Sequence, residues 1–247
     1  MVDFLKFRQS MDKNIRVGFV PTMGALHQGH ASLLQKSAAE NDVSVLSVFV
    51  NPTQFNDSND FAAYPKTCEN DLSIASECAV DFIITPTFEQ IYPDNYRFKI
   101  SENNLSLKFC GASRPGHFDG VLTVVMKLLH IVNSNRAYFG EKDFQQLQLI
   151  KDMAKSFFLS TKIIGCPTSR ESSGLALSSR NIRLSSAGRE KAALIYKFAK
   201  QSSGAEDAKK NLIENGFTVD YVEDYQGRRF VAAILEGVRL IDNVELK

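Results

Sequence analysis

Five short apolar runs constrain this fold more than any other feature of the chain. Ile15–Val20, Val43–Val50, Val80–Thr85, Arg136–Phe139 and Thr161–Gly165 are apolar on most residues rather than on alternate ones. That pattern suits strands covered on both faces, as in a parallel sheet, better than half-wet antiparallel strands. Helical patterns separate the runs. His30–Glu40 is rich in Ala, Leu, Gln and Lys, and Thr67–Cys78 puts Leu72, Ala75 and Ala79 on one predicted face. Phe118–Val132 repeats Val121, Val125, Leu128 and Val132 at helical spacing, and Asp143–Phe158 continues with Leu147, Ile150 and Ala154. Strand–helix alternation of this kind predicts an α/β fold, a Rossmann-like doubly wound parallel sheet.

The pattern changes between Gly165 and Ser186, where Gly, Ser and Arg crowd the sequence. A helix over Ala187–Lys200, a shorter one over Glu206–Asn215 and strands at Val219–Glu223, Arg229–Ile234 and Val238–Asp242 read as a small α+β unit. The expected division is a nucleotide-binding domain over 1–168 and a C-terminal lid domain over 169–247. The 29 Lys and Arg against 28 Asp and Glu leave neither part basic, which argues against a nucleic-acid or anionic-membrane partner. No apolar run approaches the ~20 residues of a membrane span, and the N-terminus lacks a signal-peptide pattern, so a cytoplasmic protein is expected. Cys68, Cys78, Cys110 and Cys166 show no metal or disulfide spacing and read as small buried thiols. His130, inside an apolar stretch, reads as a core hydrogen-bonding group.

With no global excess of positive charge, any anion site has to be local. Met23-Gly-Ala-Leu-His-Gln-Gly-His30 leaves the first strand and enters the first helix, and no acid occurs from Phe19 to Gln35. Gly24 and Gly29 allow close backbone approach, and the helix start offers N–H groups and a positive dipole end to phosphate. His27 and His30 can donate hydrogen bonds to phosphate oxygens. No Gly-Lys-Ser/Thr follows, so this is not a Walker loop. Asn51-Pro-Thr-Gln54 ends an apolar strand and offers amides, donors and acceptors suited to hydroxyls. Gly140-Glu141-Lys142-Asp143 joins a strand to a helix, with Asp143 as an N-cap and Lys142 as a flexible point charge. In the segment from Ser169 to Arg189, Leu177-Ser178-Ser179-Arg180 combines hydroxyls with a guanidinium fork, and four arginines meet one acid, Glu171.

His-x-Gly-His is the signature of the adenylyl-transferring superfamily of nucleotidylyltransferases and class I aminoacyl-tRNA synthetases. With Pro21-Thr-Met-Gly-Ala-Leu26 before it, the chain resembles the pantoate–β-alanine ligase family. Val48–Phe55, Arg114–Val125, Phe139–Leu147, Gly174–Asn181 and Arg239–Asn243 resemble its later motifs in order, over nearly the whole chain. The resemblance implies ATP-dependent condensation of pantoate with β-alanine through a pantoyl adenylate, with Mg2+ accompanying ATP. It implies ATP contacts at Met23, Gly24, Ala25, Leu26, His27, Gln28, Gly29 and His30, at Gly140, Glu141, Lys142 and Asp143, and at Ser169, Leu177, Ser178, Ser179 and Arg180. Gln54, Gln146 and Asn51 are implied to bind pantoate, with Gln54 also near β-alanine. His30, His27, Lys142 and Arg180 are implied to act on the reacting phosphate, with Arg114 and His117 as further charge stabilisers.

The resemblance further implies a homodimer. Ser173 stands where relatives usually carry Asp, and the C-terminal part reads as short, so a looser lid is expected. A nucleotidylyltransferase stopping at AMP transfer, a small synthetase relative and a nucleotide sensor with a degenerate site are the competing readings.

Overall fold

The computed structural model describes residues 2–246. Strands β1 (Val17–Thr22), β2 (Val43–Val48), β3 (Phe82–Ile84), β4 (Arg136–Gly140) and β5 (Lys162–Cys166) form one parallel sheet in the order β3-β2-β1-β4-β5. All five predicted strands are present, shifted by one or two residues at their ends. Helices α1 (Val2–Ser10), α2 (Gln28–Glu40), α3 (Ser58–Ala62), α4 (Cys68–Glu77), α5 (Phe88–Ile91), α6 (Cys110–Ser113), α7 (His117–Val132) and α8 (Phe144–Ser156) lie between or beside them. Successive strand residues face opposite sides. Phe19, Val45, Ala137 and Phe139 therefore pack into one core with α7, while Val20, Leu46 and Tyr138 pack into a second with α2 and α4. Both faces being covered explains why the strands read as unbroken apolar runs.

The sheet order reverses direction at β1, and that is where the sheet opens. β1 pairs with β2 along its full length, from Val17 to Thr22, but with β4 only at Gly18 and Phe19. The carboxyl ends of β1 and β4 thus separate, leaving the crevice in which open α/β sheets take ligands.

The C-terminal residues form a separate antiparallel sheet of β6 (Thr218–Tyr225), β7 (Arg228–Leu235) and β8 (Val238–Glu245), covered by α9 (Ser186–Ala192), α10 (Leu194–Gln201) and α11 (Ala205–Glu214). The single helix expected over Ala187–Lys200 is two. Ala193 N–H bonds Glu190 O, three residues back, and this tightened step separates α9 from α10.

Four expectations about burial are corrected. Leu72 is 57% exposed, and α4 instead buries Asp71 and Ala75, because Asp71 has backbone donors to satisfy beneath it. Ala79 is exposed too. His130 lies exposed in the last turn of α7, where the helix dipole favours a polar or cationic group, and not in the core. Cys68 is exposed, while the other three thiols are buried and none is in a disulfide.

Candidate active site

The crevice between β1 and β4 opens into a cleft of about 230 Å³. Its floor is Pro21 and Thr22 of β1 and Tyr138 to Gly140 of β4; α7 supplies an apolar wall through Val121, Val124 and Val125. Met23, His27, Gly29 and His30 line it from the first turn, and Asn51, Gln54 and Gln146 from the opposite side. Gly140, Lys142, Asp143, Ser169, Leu177, Ser178, Ser179 and Arg180 complete it. Gly24, Ala25, Leu26, Gln28 and Glu141 do not face it. Gln28 points to solvent, and Gly24, Ala25 and Leu26 are buried beneath the turn.

The turn owes its shape to a residue far off in sequence. Gly24 and Ala25 both have left-handed backbone, with φ of +80° and +51°. For a residue with a Cβ that conformation costs about 1–2 kcal/mol. It is held by Asp71 of α4, whose Oδ2 accepts from Ala25 N–H at 3.0 Å and Oδ1 from Leu26 N–H at 2.7 Å. Thr67 Oγ1 donates to the same carboxylate at 2.9 Å. The stretch is acid-free in sequence, yet a buried carboxylate sits under it. The two amides it binds are unavailable to phosphate. Nothing local marks Asp71 for this role; a carboxylate on a face otherwise carrying Ala75 is its only trace.

The histidines open α2. His27 is the N-cap, its Nδ1 accepting from Gly29 N–H at 3.1 Å, and His30 Nδ1 accepts from His27 N–H at 3.3 Å. With each Nδ1 occupied as an acceptor, a neutral ring carries its proton on Nε2. The rings lie 4.1 Å apart. Burial, with Lys142 nearby, lowers the His27 pKa to about 4; burial, His27 and Lys142 lower that of His30 to about 3. Both are neutral hydrogen-bond donors at pH 7. Capping and phosphate recognition are thus compatible, since they use different ring nitrogens.

The amide side is fixed by a chain of buried bonds. Asn51 is 1% exposed; its Oδ1 accepts from Tyr92 Oη at 3.0 Å and Thr53 Oγ1 at 3.0 Å. Its Nδ2 therefore donates, to Gly120 O at 3.2 Å and Gln54 Oε1 at 3.1 Å. That leaves Gln54 presenting Nε2, at 3.2 Å from Met23 Sδ. Gly120 is required here because a Cβ would collide with Thr53 O. Asn51 thus orients Gln54. Tyr92, the origin of the chain, was not indicated by the sequence.

Arg114 and His117 are not directed at the first turn. His117 Nδ1 donates to Gln54 O at 2.8 Å, Arg114 Nη2 donates to the same oxygen at 3.1 Å, and Arg114 Nη1 reaches His117 Nε2 at 3.1 Å. Burial and Arg114 hold the His117 pKa near 3. Neutral His117 is thus a brace for the Gln54 backbone rather than a charge.

Lys142 lies 3.7 Å from Asp143. Asp143 stands at the N-terminus of α8, but its side chain makes no capping bond, contrary to expectation, and borders the cleft beside Lys142 instead. The turn carrying Lys142 is anchored by the C-terminal domain, where Asn243 Nδ2 donates to Glu141 O at 2.9 Å and Lys142 O at 2.8 Å. In the 169–185 segment, Ser179 Oγ donates to Ala25 O at 3.0 Å, and Arg180 and Arg183 share Asp60 at 2.8 and 3.0 Å. Leu177 N–H binds Ser169 O, and Arg170 grips Asp242 at 2.6 Å. Ser173 is exposed, and the segment is fixed elsewhere.

The family profile described as pantoate-beta-alanine ligase matches residues 3–245. A pantothenate synthetase of Bdellovibrio bacteriovorus is 56% identical over 230 residues, 93% of this chain and 92% of that protein. A crystal structure of pantoate-beta-alanine ligase from Francisella tularensis, complexed with beta-gamma ATP and beta-alanine, has a TM-score of 0.94 and 45% identity, over 99% of this chain and 95% of that one. Pantothenate synthetase from Thermus thermophilus follows with a TM-score of 0.90 and 36% identity, over 98% and 97%.

Proposed function

This chain belongs to the pantoate–β-alanine ligase family, and we propose that it joins pantoate to β-alanine at the expense of ATP through a pantoyl adenylate. One observation carries the reading. Two neutral imidazole donors, Lys142, a Ser/Arg segment and two glutamine amides converge on one cleft at the open end of β1 and β4. Those groups match a triphosphate on one side and a hydroxy acid on the other.

In the first step a pantoate carboxylate oxygen attacks the α-phosphorus, the bond to the bridging oxygen breaks, and pyrophosphate leaves with the electron pair. Gln54 Nε2–H and Gln146 hold pantoate, while the apolar α7 wall keeps water away. His30 and His27 donate Nε2–H hydrogen bonds to the phosphate where charge develops; the depressed pKa of His30 favours a hydrogen bond over full proton transfer. Lys142 follows the charge to the departing pyrophosphate, and Ser178, Ser179 and Arg180 hold the β- and γ-phosphates. Arg180 then exchanges Asp60 for phosphate. In the second step the neutral β-alanine amine attacks the acyl carbon, an amide C–N bond forms, the acyl C–O bond breaks with its electron pair leaving on AMP, and the surplus amine proton passes to water. No nucleophilic side chain is required, so alignment and electrostatics supply the acceleration.

Mg2+ belongs to this reading as an ion carried by the triphosphate. Asp143 is the carboxylate bordering the cleft, and among the described residues no three His, Cys, Asp or Glu side chains converge. That donor set fits an ion held mainly by phosphate oxygens and water. No helix among the described residues is long and apolar enough to cross a membrane. A cytoplasmic homodimer with a 1–168 and 169–247 division completes the proposal.

The test is AMP release with pantoate, β-alanine and MgATP, together and in omission pairs, beside exchange of labelled pyrophosphate into ATP. Exchange should need pantoate but not β-alanine, and AMP release should need both. Exchange without pantoate would instead fit a nucleotidylyltransferase.

A further inference from the structure

In the reaction proposed above, Lys142 follows the charge of the leaving group, yet its own element does little to hold it. The turn Glu141–Asp143 is three residues long, and neither Gly140 before it nor Asp143 at its end makes a side-chain capping bond. A lysine stem is flexible, so where the ammonium can reach depends on where this backbone sits. Lys142 borders the cleft and lies near enough to the first turn to help lower the pKa of both His27 and His30. Among the described residues, the two side-chain hydrogen bonds that reach the turn from outside both come from Asn243 of β8, 101 residues beyond Lys142.

The amide of Asn243 has one orientation. Arg228 Nη1 donates to its Oδ1 at 2.6 Å, so both Nδ2 hydrogens face the carbonyls of Glu141 and Lys142. Arg228 also lies over the ring of Phe144, the first residue of α8, with its guanidinium carbon 3.9 Å from the centroid. The preceding residue of β8 reaches the other phosphate-facing piece. Asp242 takes Arg170 through both oxygens, at 2.6 and 2.8 Å, and Arg170 Nη1 donates to Gly174 O at 3.1 Å within the segment that carries Ser178 to Arg180. Asp242 and Asn243 are both buried, so leaving either unpaired is costly. Two neighbouring side chains of the C-terminal sheet therefore fix both the turn that carries the cation and the segment that carries the serines.

We propose that Asn243 is a positioning residue for the first chemical step, placing Lys142 against the reacting phosphate through its two bonds to the turn. The inference rests on the ligase reading above. It makes adenylate formation depend on the docking of β8 in a way that the second step does not. Lys142 answers charge that develops on pyrophosphate, and pyrophosphate is gone when the amine attacks. Misplacing such a group by about 1 Å can cost on the order of 10²-fold in rate.

The experiment compares two rates in Asn243→Asp. Pantoate-dependent pyrophosphate exchange reports the first step, and single-turnover AMP release from supplied pantoyl adenylate and β-alanine reports the second. Aspartate keeps the shape of the side chain and its Arg228 partner while removing both donors. The exchange kcat should fall at least about tenfold with the KM for pantoate changed less than about twofold, and the second-step rate should stay within about twofold of wild type. A misfolded fraction would lower both rates by one factor, so equal losses overturn the proposal, as does unchanged exchange. Should Asn243→Asp not yield soluble protein, Asn243→Ala is read by the same two rates with the same expectation. In a Lys142→Met background, Asn243→Asp should cost less than about twofold more, and a full further tenfold loss there would overturn the route through Lys142. Failure of the ligase reading is separate. It would show as absence of pantoate-dependent exchange in the wild-type protein, before any variant is compared.

Discussion

The two polar walls of the cleft are built on opposite principles. The first turn, Met23–His30, is internally satisfied. Asp71 takes two of its amides, and His27 and His30 cap α2 through Nδ1 while keeping Nε2–H free. The facing segment around Ser178–Arg183 is held by partners it can give up, since Arg180 and Arg183 rest on Asp60, whose side chain is 26% exposed. Buried, multiply bonded carboxylates are expensive to disturb, whereas partly exposed ion pairs are worth little. The first wall is therefore a fixed template, and the second can trade a carboxylate for a phosphate at small cost. Differential binding of a transition state needs both, a rigid set of donors and a part that follows moving charge.

The largest effect should come from the template. His30→Ala is expected to slow pantoate-dependent pyrophosphate exchange by about 10²–10⁴-fold, while Arg180→Ala should act mainly on the KM for ATP. Near-normal exchange in His30→Ala would remove the reason for treating the first turn as catalytic. Next comes Asp71→Ala, which leaves Ala25 and Leu26 N–H groups buried without an acceptor. It should cost about 1–3 kcal/mol per stranded group in urea denaturation and raise the KM for ATP without touching the cleft.

pH offers a third handle. His27, His30 and His117 have pKa values depressed to about 4, 3 and 3, so below the ordinary value near 6.5 the unfolded chain binds more protons than the folded one. Stability should be complete above pH 6.5 and fall as the pH drops toward 4; His117→Asn should flatten that slope in melting experiments. A slope unchanged in that variant would show that other groups set it. The smallest effect belongs to the second wall. Asp60→Asn should cost no more than ~1 kcal/mol, speed proteolysis within 169–185 in the absence of ATP, and leave ATP binding no weaker. A cost equal to that of Asp71→Ala would abolish the contrast.

Much of this was legible beforehand. The five strands, their parallel arrangement and the location of His27, His30, Gln54, Lys142 and Arg180 around one cleft could be read from apolar runs and motif order. The misses share a cause. Leu72 looked like the buried face of α4 because periodicity counts apolar residues, whereas the helix is turned by Asp71, a polar residue with distant amides to satisfy. His130 looked interior from its neighbours but falls on the solvent side of α7. Ala25 and Leu26 face away from the cleft for the same reason that α4 is rotated. Asp143 was expected to cap and does not.

Local sequence decided which segments are strands, where the chain must turn, and which residue types are present for phosphate and hydroxy-acid chemistry, because those depend on backbone sterics and side-chain inventory within a few residues. Tertiary structure alone decided which of those groups are free. Whether an N–H, an imidazole nitrogen or a guanidinium is available to a ligand depends on whether the fold has already given it a partner. Those partners, Asp71 for Leu26, Tyr92 for Asn51 and Asp60 for Arg180, lie 45, 41 and 120 residues away. Hydrogen-bond satisfaction is a property of contacts in space, and it is what separates the groups that build this site from those left to act in it.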